Sequence, residues 1–153
     1  MKWSLVLFKG IKDQWKKAEA AAVIQTLLEE QIKVGLLDAN AASLANSVVS
    51  KVWEQSPEYF DGRFGQRPHK IAFAGLALAM AVDKLPKDGR LHAPLMVCLS
   101  ELLLGVEANS FLLPLTPLDE RMIAAARDVL VAQTQNLADD QLGQELDQLL
   151  SNS

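Results

Sequence analysis

The sequence predicts an all-α fold, organised as a single helical domain over residues 1–153. Its 26 Leu and 20 Ala residues far outnumber its 19 Val, Ile and Thr residues, so side chains that keep their freedom in a helix dominate. Apolar residues recur at helical spacing, and no segment alternates convincingly as a strand would. A chain of 153 residues buries enough surface to fold without disulfides or metal. We expect a bundle of five to six helices.

The first predicted helix runs from Trp3 to about Val34, and Gly10 could divide it. The residues expected to face the core recur at i, i+3 and i+4 spacing: Trp3, Leu7, Ile11, Trp15, Ala18 and Ala22. After Ala22 the apolar positions shift to a second set: Val23, Ile24, Leu27, Leu28 and Val34. Gly35 is expected to end the helix, because glycine readily adopts the positive φ of a helix C-terminus.

The next three helices are predicted at about residues 39–55, 68–84 and 92–108. Asp38 or Asn40 is the expected cap of the second helix. The third helix has large apolar residues on two opposite sides and small residues between them, which places it at the centre of the bundle. Segments of about 69–84 and 92–108 should therefore form a central buried hydrophobic hairpin.

Two helices are predicted in the last third of the chain. Thr116-Pro117-Leu118-Asp119 combines a cap, a first-turn proline and an acid, which predicts a helix from there to about Gln135. A final helix of about 139–150 carries Leu142, Leu146, Leu149 and Leu150.

A loop of residues 56–68 joins the second and third helices and is rich in aromatic, Arg and Gly residues. Basic groups beside a helix start would suit an anion or an acidic partner. The candidate binding residues in and next to this loop are Tyr59, Arg63, Phe64, Arg67, His69 and Lys70. The structural alternative is a long loop whose aromatic residues plug the bundle and whose Arg residues cap carbonyl groups.

The amino-terminal segment, residues 1–17, is a basic amphipathic stretch with a charge of +4, whereas the last 43 residues carry −5. Such a helix can dock in a partner's groove or lie on an anionic membrane. The residues of this candidate surface are Trp3, Lys9, Lys12, Trp15 and Lys16. The favoured alternative is that its apolar face packs on the protein's own core while the lysines face water.

No pattern of catalytic or metal-binding residues stands out, so we predict no catalytic residues, no metal and no cofactor. His69 and His92 are 23 residues apart and are expected to be partly exposed. Cys98 lies in an apolar run and is expected to be a buried, unreactive thiol. Glu101, flanked by leucines, is either part of a solvated strip or a partly buried acid with a raised pKa.

These observations lead to an expected function and compartment. A single cysteine, and an apolar stretch of residues 3–8 that Lys9 closes too early for a signal peptide, predict a cytoplasmic protein. A pI of about 5.1 argues against nucleic-acid binding through overall charge. The apolar surplus predicts self-association, as a homodimer, or a protein partner. The leading hypothesis is a non-enzymatic adaptor, assembly or regulatory factor; a small-molecule or anion-binding domain or an enzyme is the alternative.

Overall fold

The structure is a computed structural model that describes residues 2–55, 69–108 and 114–151, with the backbone alone for residues 2–14 and 136–141. The described chain forms an all-α bundle, as predicted. Its helices are α1 (Lys2–Lys33), α2 (Ala41–Gln55), α3 (Lys70–Lys84), α4 (His92–Glu107) and α5 (Pro117–Ser151).

The turn between α1 and α2 follows the local chemistry that the sequence predicts. Gly35 has a φ of 80°, and its N–H donates to the Ile32 carbonyl at 3.1 Å. This positive φ closes α1 at low steric cost because glycine has no Cβ. The Asn40 side chain accepts a hydrogen bond from the Ser43 N–H at 2.9 Å, so Asn40 rather than Asp38 caps α2.

Helix α3 is the centre of the bundle, which confirms the central position predicted for it. Residues 71–79 are all buried, and α3 contacts each of the other four helices. Gly75 allows two of them to come close, since a Cβ there would lie 3.1 Å from Leu102 Cδ2 of α4 and 3.7 Å from Ile123 Cδ1 of α5. Together α3 and α4 form the buried hairpin expected from the sequence.

Contacts between helix ends fix the helix directions. The start of α3 touches the start of α5 through His69 and Asp119, and further along both helices Gly75 faces Ile123, so these two helices run parallel. His92, at the start of α4, lies against Gln133, whereas Glu107, at the end of α4, pairs with Arg127, nearer the start of α5. Helix α4 therefore runs antiparallel to α5. The ends of α2 and α3 meet through Gln55 and Lys84.

The predicted core face of α1 is wrong over part of its length. Trp15, Ala18 and Ala22 are exposed, and so is Val34. The buried face is set by Ile24 and Leu28, which belong to the second predicted set, together with small residues that permit close helix packing: Ala20 and Ala21. Following that face towards the amino terminus brings Lys16 and Lys17 to the inner side, and the Lys17 ammonium lies over the Trp53 ring at 4.9 Å. Gly10 does not interrupt the helix.

The predicted break near residues 136–138 is absent, because α5 continues without interruption to Ser151. The apolar pattern lapses there, but no glycine or proline lies between residues 118 and 142. A lapse in apolar residues removes packing without removing backbone hydrogen bonds, so the helix continues.

Candidate functional site

The loop-based candidate site lies mostly outside the described residues, which include neither Tyr59, Arg63, Phe64 nor Arg67. Of its two described members, Lys70 is exposed. His69 is the N-cap of α3, and its Nδ1 accepts a hydrogen bond from the Ile71 N–H at 3.1 Å. His69 is half-buried, as predicted, and the binding role of the set stays a prediction.

The buried carboxylate of Asp119 connects His69, which follows the loop of residues 56–68, to the start of α5. Its Oδ1 accepts the His69 N–H at 2.6 Å, and its Oδ2 accepts the Thr116 N–H at 3.0 Å. Thr116 Oγ1 accepts the Asp119 N–H in return, at 3.2 Å. The Thr-x-x-Asp spacing signals this reciprocal cap, but its link to His69 has no local sequence signal.

The expectation that His92 is partly exposed is wrong. Its side chain is 2% exposed, and its Nε2 lies 3.2 Å from Gln133 Oε1, which is also buried. Although His92 begins a helix, that helix start is covered by α5, and Gln133 satisfies the ring nitrogen there. The pair is a hydrogen-bonded core contact between α4 and α5.

Glu101 and Cys98 differ in their exposure to solvent, and this difference determines the chemistry of each. Glu101 is exposed, so it belongs to a solvated strip. Burial raises the pKa of the Cys98 thiol to about 12, and the negative charge of Glu101 adds to this rise. The thiol is therefore protonated at neutral pH, as the sequence predicts, and is a poor nucleophile. Within the described ranges, no three His, Cys, Asp or Glu side chains come together as metal ligands would.

The last part of α5 presents leucines to solvent. Its residues 142–151, here called the leucine tip, carry Leu142, Leu146, Leu149 and Leu150, which are 51–74% exposed. Their spacing of four, three and one residues places them on one side of the helix. Each described side chain after Gln133 is exposed, although the helix continues to Ser151. From residue 136 to 153 the chain has four acids and no Lys or Arg.

A groove lies between α2, the end of α3 and the start of α4, with a cavity volume of about 300 Å³. Its floor and walls are largely apolar: Leu44, Val48, Val52, Met80, Leu91 and Leu95. Lys51 and Lys84 also line it, and none of the described acids does. Lys84 Nζ donates to Gln55 Oε1, which is uncharged, and among the described side chains neither Lys84 nor Lys51 has an ion-pair partner. We call this feature the α2–α4 groove.

The amino-terminal candidate surface is described only from Trp15 onwards, so the side chains of Trp3, Lys9 and Lys12 lie outside the described set. The Trp15 indole is 69% exposed, and Lys16 is half-buried. Trp15 therefore does not pack on the protein's own core, contrary to the favoured alternative at this position.

No family model matches the chain, and neither the curated proteins nor the solved structures with which it was compared match it. In the described part of the chain, no helix has both the length and the apolar character required to cross a bilayer.

Proposed function

We propose that this protein acts by binding another protein and that the leucine tip is its docking helix. The observation that carries the proposal is the row of four half-exposed to largely exposed leucines on one side of an acidic helix. Single exposed apolar residues are ordinary on a protein surface, whereas contiguous apolar patches mark interaction sites. Helix recognition commonly uses such i, i+4, i+7 anchors in an apolar groove.

The energetics support a partner for this helix. Full burial of a leucine contributes about 1.5–3 kcal/mol, so covering the remaining exposed part of each side chain contributes roughly half of that or more. Four such leucines make a substantial anchor against the cost of association. The end of a helix frays in water where its side chains are exposed, so docking would also stabilise the tip itself.

The proposed role is non-enzymatic and cytoplasmic: that of an adaptor, assembly or regulatory factor. Its support is the docking helix together with a buried, protonated Cys98, which suits a chain that needs no oxidising compartment.

Site-specific photo-cross-linking tests this function. A photoreactive residue replaces Leu146 in the full chain, and irradiation is carried out in native extract. A docked tip gives one or a few discrete adducts, because the probe lies inside an interface. The matched control places the same probe at Leu104, a leucine on α4 that is also more than half exposed and is not part of the row. Adduct patterns that are the same at both positions would contradict the proposal.

A second candidate function is attachment to an anionic membrane through residues 2–17, and the exposed indole of Trp15 is the observation that favours it. Co-sedimentation with anionic vesicles tests it. This candidate predicts that the wild-type protein pellets and that Trp15→Ala reduces the pelleted fraction several-fold. Failure of the wild-type protein to pellet would exclude it.

A further inference from the structure

We propose that the α2–α4 groove receives the leucine tip of a second copy of this chain, so that two copies pair by exchanging their tips. This inference rests on the proposed function, because it names the partner of the same docking helix. Both halves of the contact, the leucine side chains and the groove walls, belong to the described residues.

The chemistry of the two surfaces is complementary. The groove is apolar inside and carries two lysines that have no ion-pair partner among the described side chains, Lys51 and Lys84. Glu54, three residues after Lys51, and Asp83, next to Lys84, do not line the groove. The tip carries an apolar row flanked by Glu145 and Asp147. Apolar burial would supply the attraction, and opposite charges would select the partner and its orientation.

The dimensions of the two surfaces also match. At 1.5 Å per residue, the α2 wall of the groove from Leu44 to Gln55 is about 16 Å long, and the row from Leu142 to Leu150 is about 12 Å long. The leucine row is therefore short enough to lie along the α2 wall, with leucine side chains rather than the helix itself entering the cavity of about 300 Å³.

The tip of the same chain is an unsuitable occupant. Helix α5 packs against α3 and α4, and in the described residues it makes no contact with α2, which forms one wall of the groove. Because α5 is one uninterrupted helix, its tip cannot fold back onto that wall without breaking the helix. Reciprocal exchange between two copies satisfies both grooves and closes the assembly as a dimer.

Sedimentation of the purified full-length protein, from low micromolar to near-millimolar concentration, tests this pairing. The wild-type protein should be a dimer at the upper concentrations. Ser47→Trp, at an exposed position lining the groove, and Leu146→Gln, in the tip, should each weaken dimerisation by at least about tenfold. The matched controls are Asn46→Trp, at an exposed position of α2 that does not line the groove, and Leu104→Gln on α4; both should dimerise as the wild-type protein does.

Charge exchange gives a second measurement that does not depend on filling the groove. Lys51→Glu with Lys84→Glu should weaken the dimer, as should Glu145→Lys with Asp147→Lys. Combining the four substitutions in one chain should restore much of the lost affinity, because the charge pairing is then reversed on both surfaces. Failure of the combined variant to recover would overturn the proposed charge pairing.

Each remaining outcome is decisive. A monomer at every concentration overturns the pairing, as does a dimer that Leu146→Gln dissociates but Ser47→Trp does not, since the tip would then bind elsewhere on the second copy. A small apolar molecule that co-purifies with the wild-type protein and is lost in Ser47→Trp also overturns it.

If the isolated protein is monomeric but the Leu146 probe still gives adducts with a different protein in extract, the docking helix stands without the second copy. If neither association occurs, both proposals fail.

Discussion

At the scale of single residues, the side chain of Asp119 connects the start of α3 to the start of α5. Its two carboxylate oxygens accept N–H groups from two separate segments, at His69 and Thr116. The backbone N–H groups at a helix start have no partner within the helix, so a carboxylate shared by two starts stabilises both.

Asp119→Ala should lower the free energy of unfolding by about 2–3 kcal/mol, because two N–H groups lose their acceptor and one cap is removed. Asp119→Asn keeps one acceptor oxygen and should lose less. Urea unfolding measures both, with Glu120→Ala, at the exposed neighbouring position, as the control expected to change stability by less than about 0.5 kcal/mol. Equal losses for Asp119→Ala and Glu120→Ala would show that the carboxylate does not join the two helices.

Cys98 gives a pH-dependent prediction. Its pKa rises from an ordinary 9.0 to about 12 in the folded protein. The unfolded chain therefore loses its thiol proton first, and stability is lost as pH rises through the window from about 9 to about 12. The slope is at most about 1.4 kcal/mol per pH unit.

Urea unfolding of the wild-type protein and of Cys98→Ala, each at pH near 8 and near 10.5, isolates this effect, because all other titrating groups are shared. The wild-type protein should lose about 2 kcal/mol more than the variant between these two pH values. Parallel losses in the two proteins would mean that the thiol ionises equally well in the folded state.

Predictions for single residues are correct where the sequence signal lies within a few neighbouring residues. The Gly35 turn, the Asn40 cap and the Thr116 start are each encoded within a few residues. The sequence wrongly predicts a partly exposed His92, because the burial of this side chain depends on Gln133, which lies 41 residues away along the chain. Nothing near His92 in the sequence indicates that α5 covers it.

At the scale of helices, the bundle depends on the close approach of α3 to α4 and α5 at Gly75. The two-sided apolar pattern of α3 was sufficient to predict its central position. The orientation of α1 was not predictable in the same way, because two apolar faces compete along it and only the neighbours decide which is buried. Trp15 is large and apolar, yet Ile24 and Leu28 determine the face.

Gly75→Val should destabilise the protein by about 2 kcal/mol or more, because its methyl groups would overlap Leu102 and Ile123 and because overpacking forces neighbours from their preferred rotamers. Gly143→Ala is the control in α5: apart from its own stretch of helix, no described atom lies within 4 Å of the added methyl group, so the change should stabilise the helix by up to about 1 kcal/mol. Thermal unfolding distinguishes the two. Equal or greater stability of Gly75→Val would contradict the close packing at this crossing.

At the scale of the whole molecule, the acidic last part of the chain is also the part that exposes the leucine row. The sequence predicted a +4 start, a −5 end and an apolar surplus that needs a partner. It could not identify the surface involved, since a leucine row is exposed or buried according to which helix packs beside it. The unbroken α5 leaves its last leucines exposed, whereas the predicted break would have allowed a separate final helix to fold back.

The central claim, that the leucine tip is a docking helix, is tested most directly by amide hydrogen exchange of the wild-type protein at low and high concentration. Amides of residues 142–151 should exchange rapidly in dilute protein and at least about tenfold more slowly in concentrated protein, because docking removes the local opening of an unpacked helix. The backbone of the α2–α4 groove should gain protection over the same concentration range, while the Gly35 turn should not change. Tip amides that exchange at one rate at every concentration would contradict docking onto a second copy. If they also remained unprotected in native extract, the tip would have no docking role.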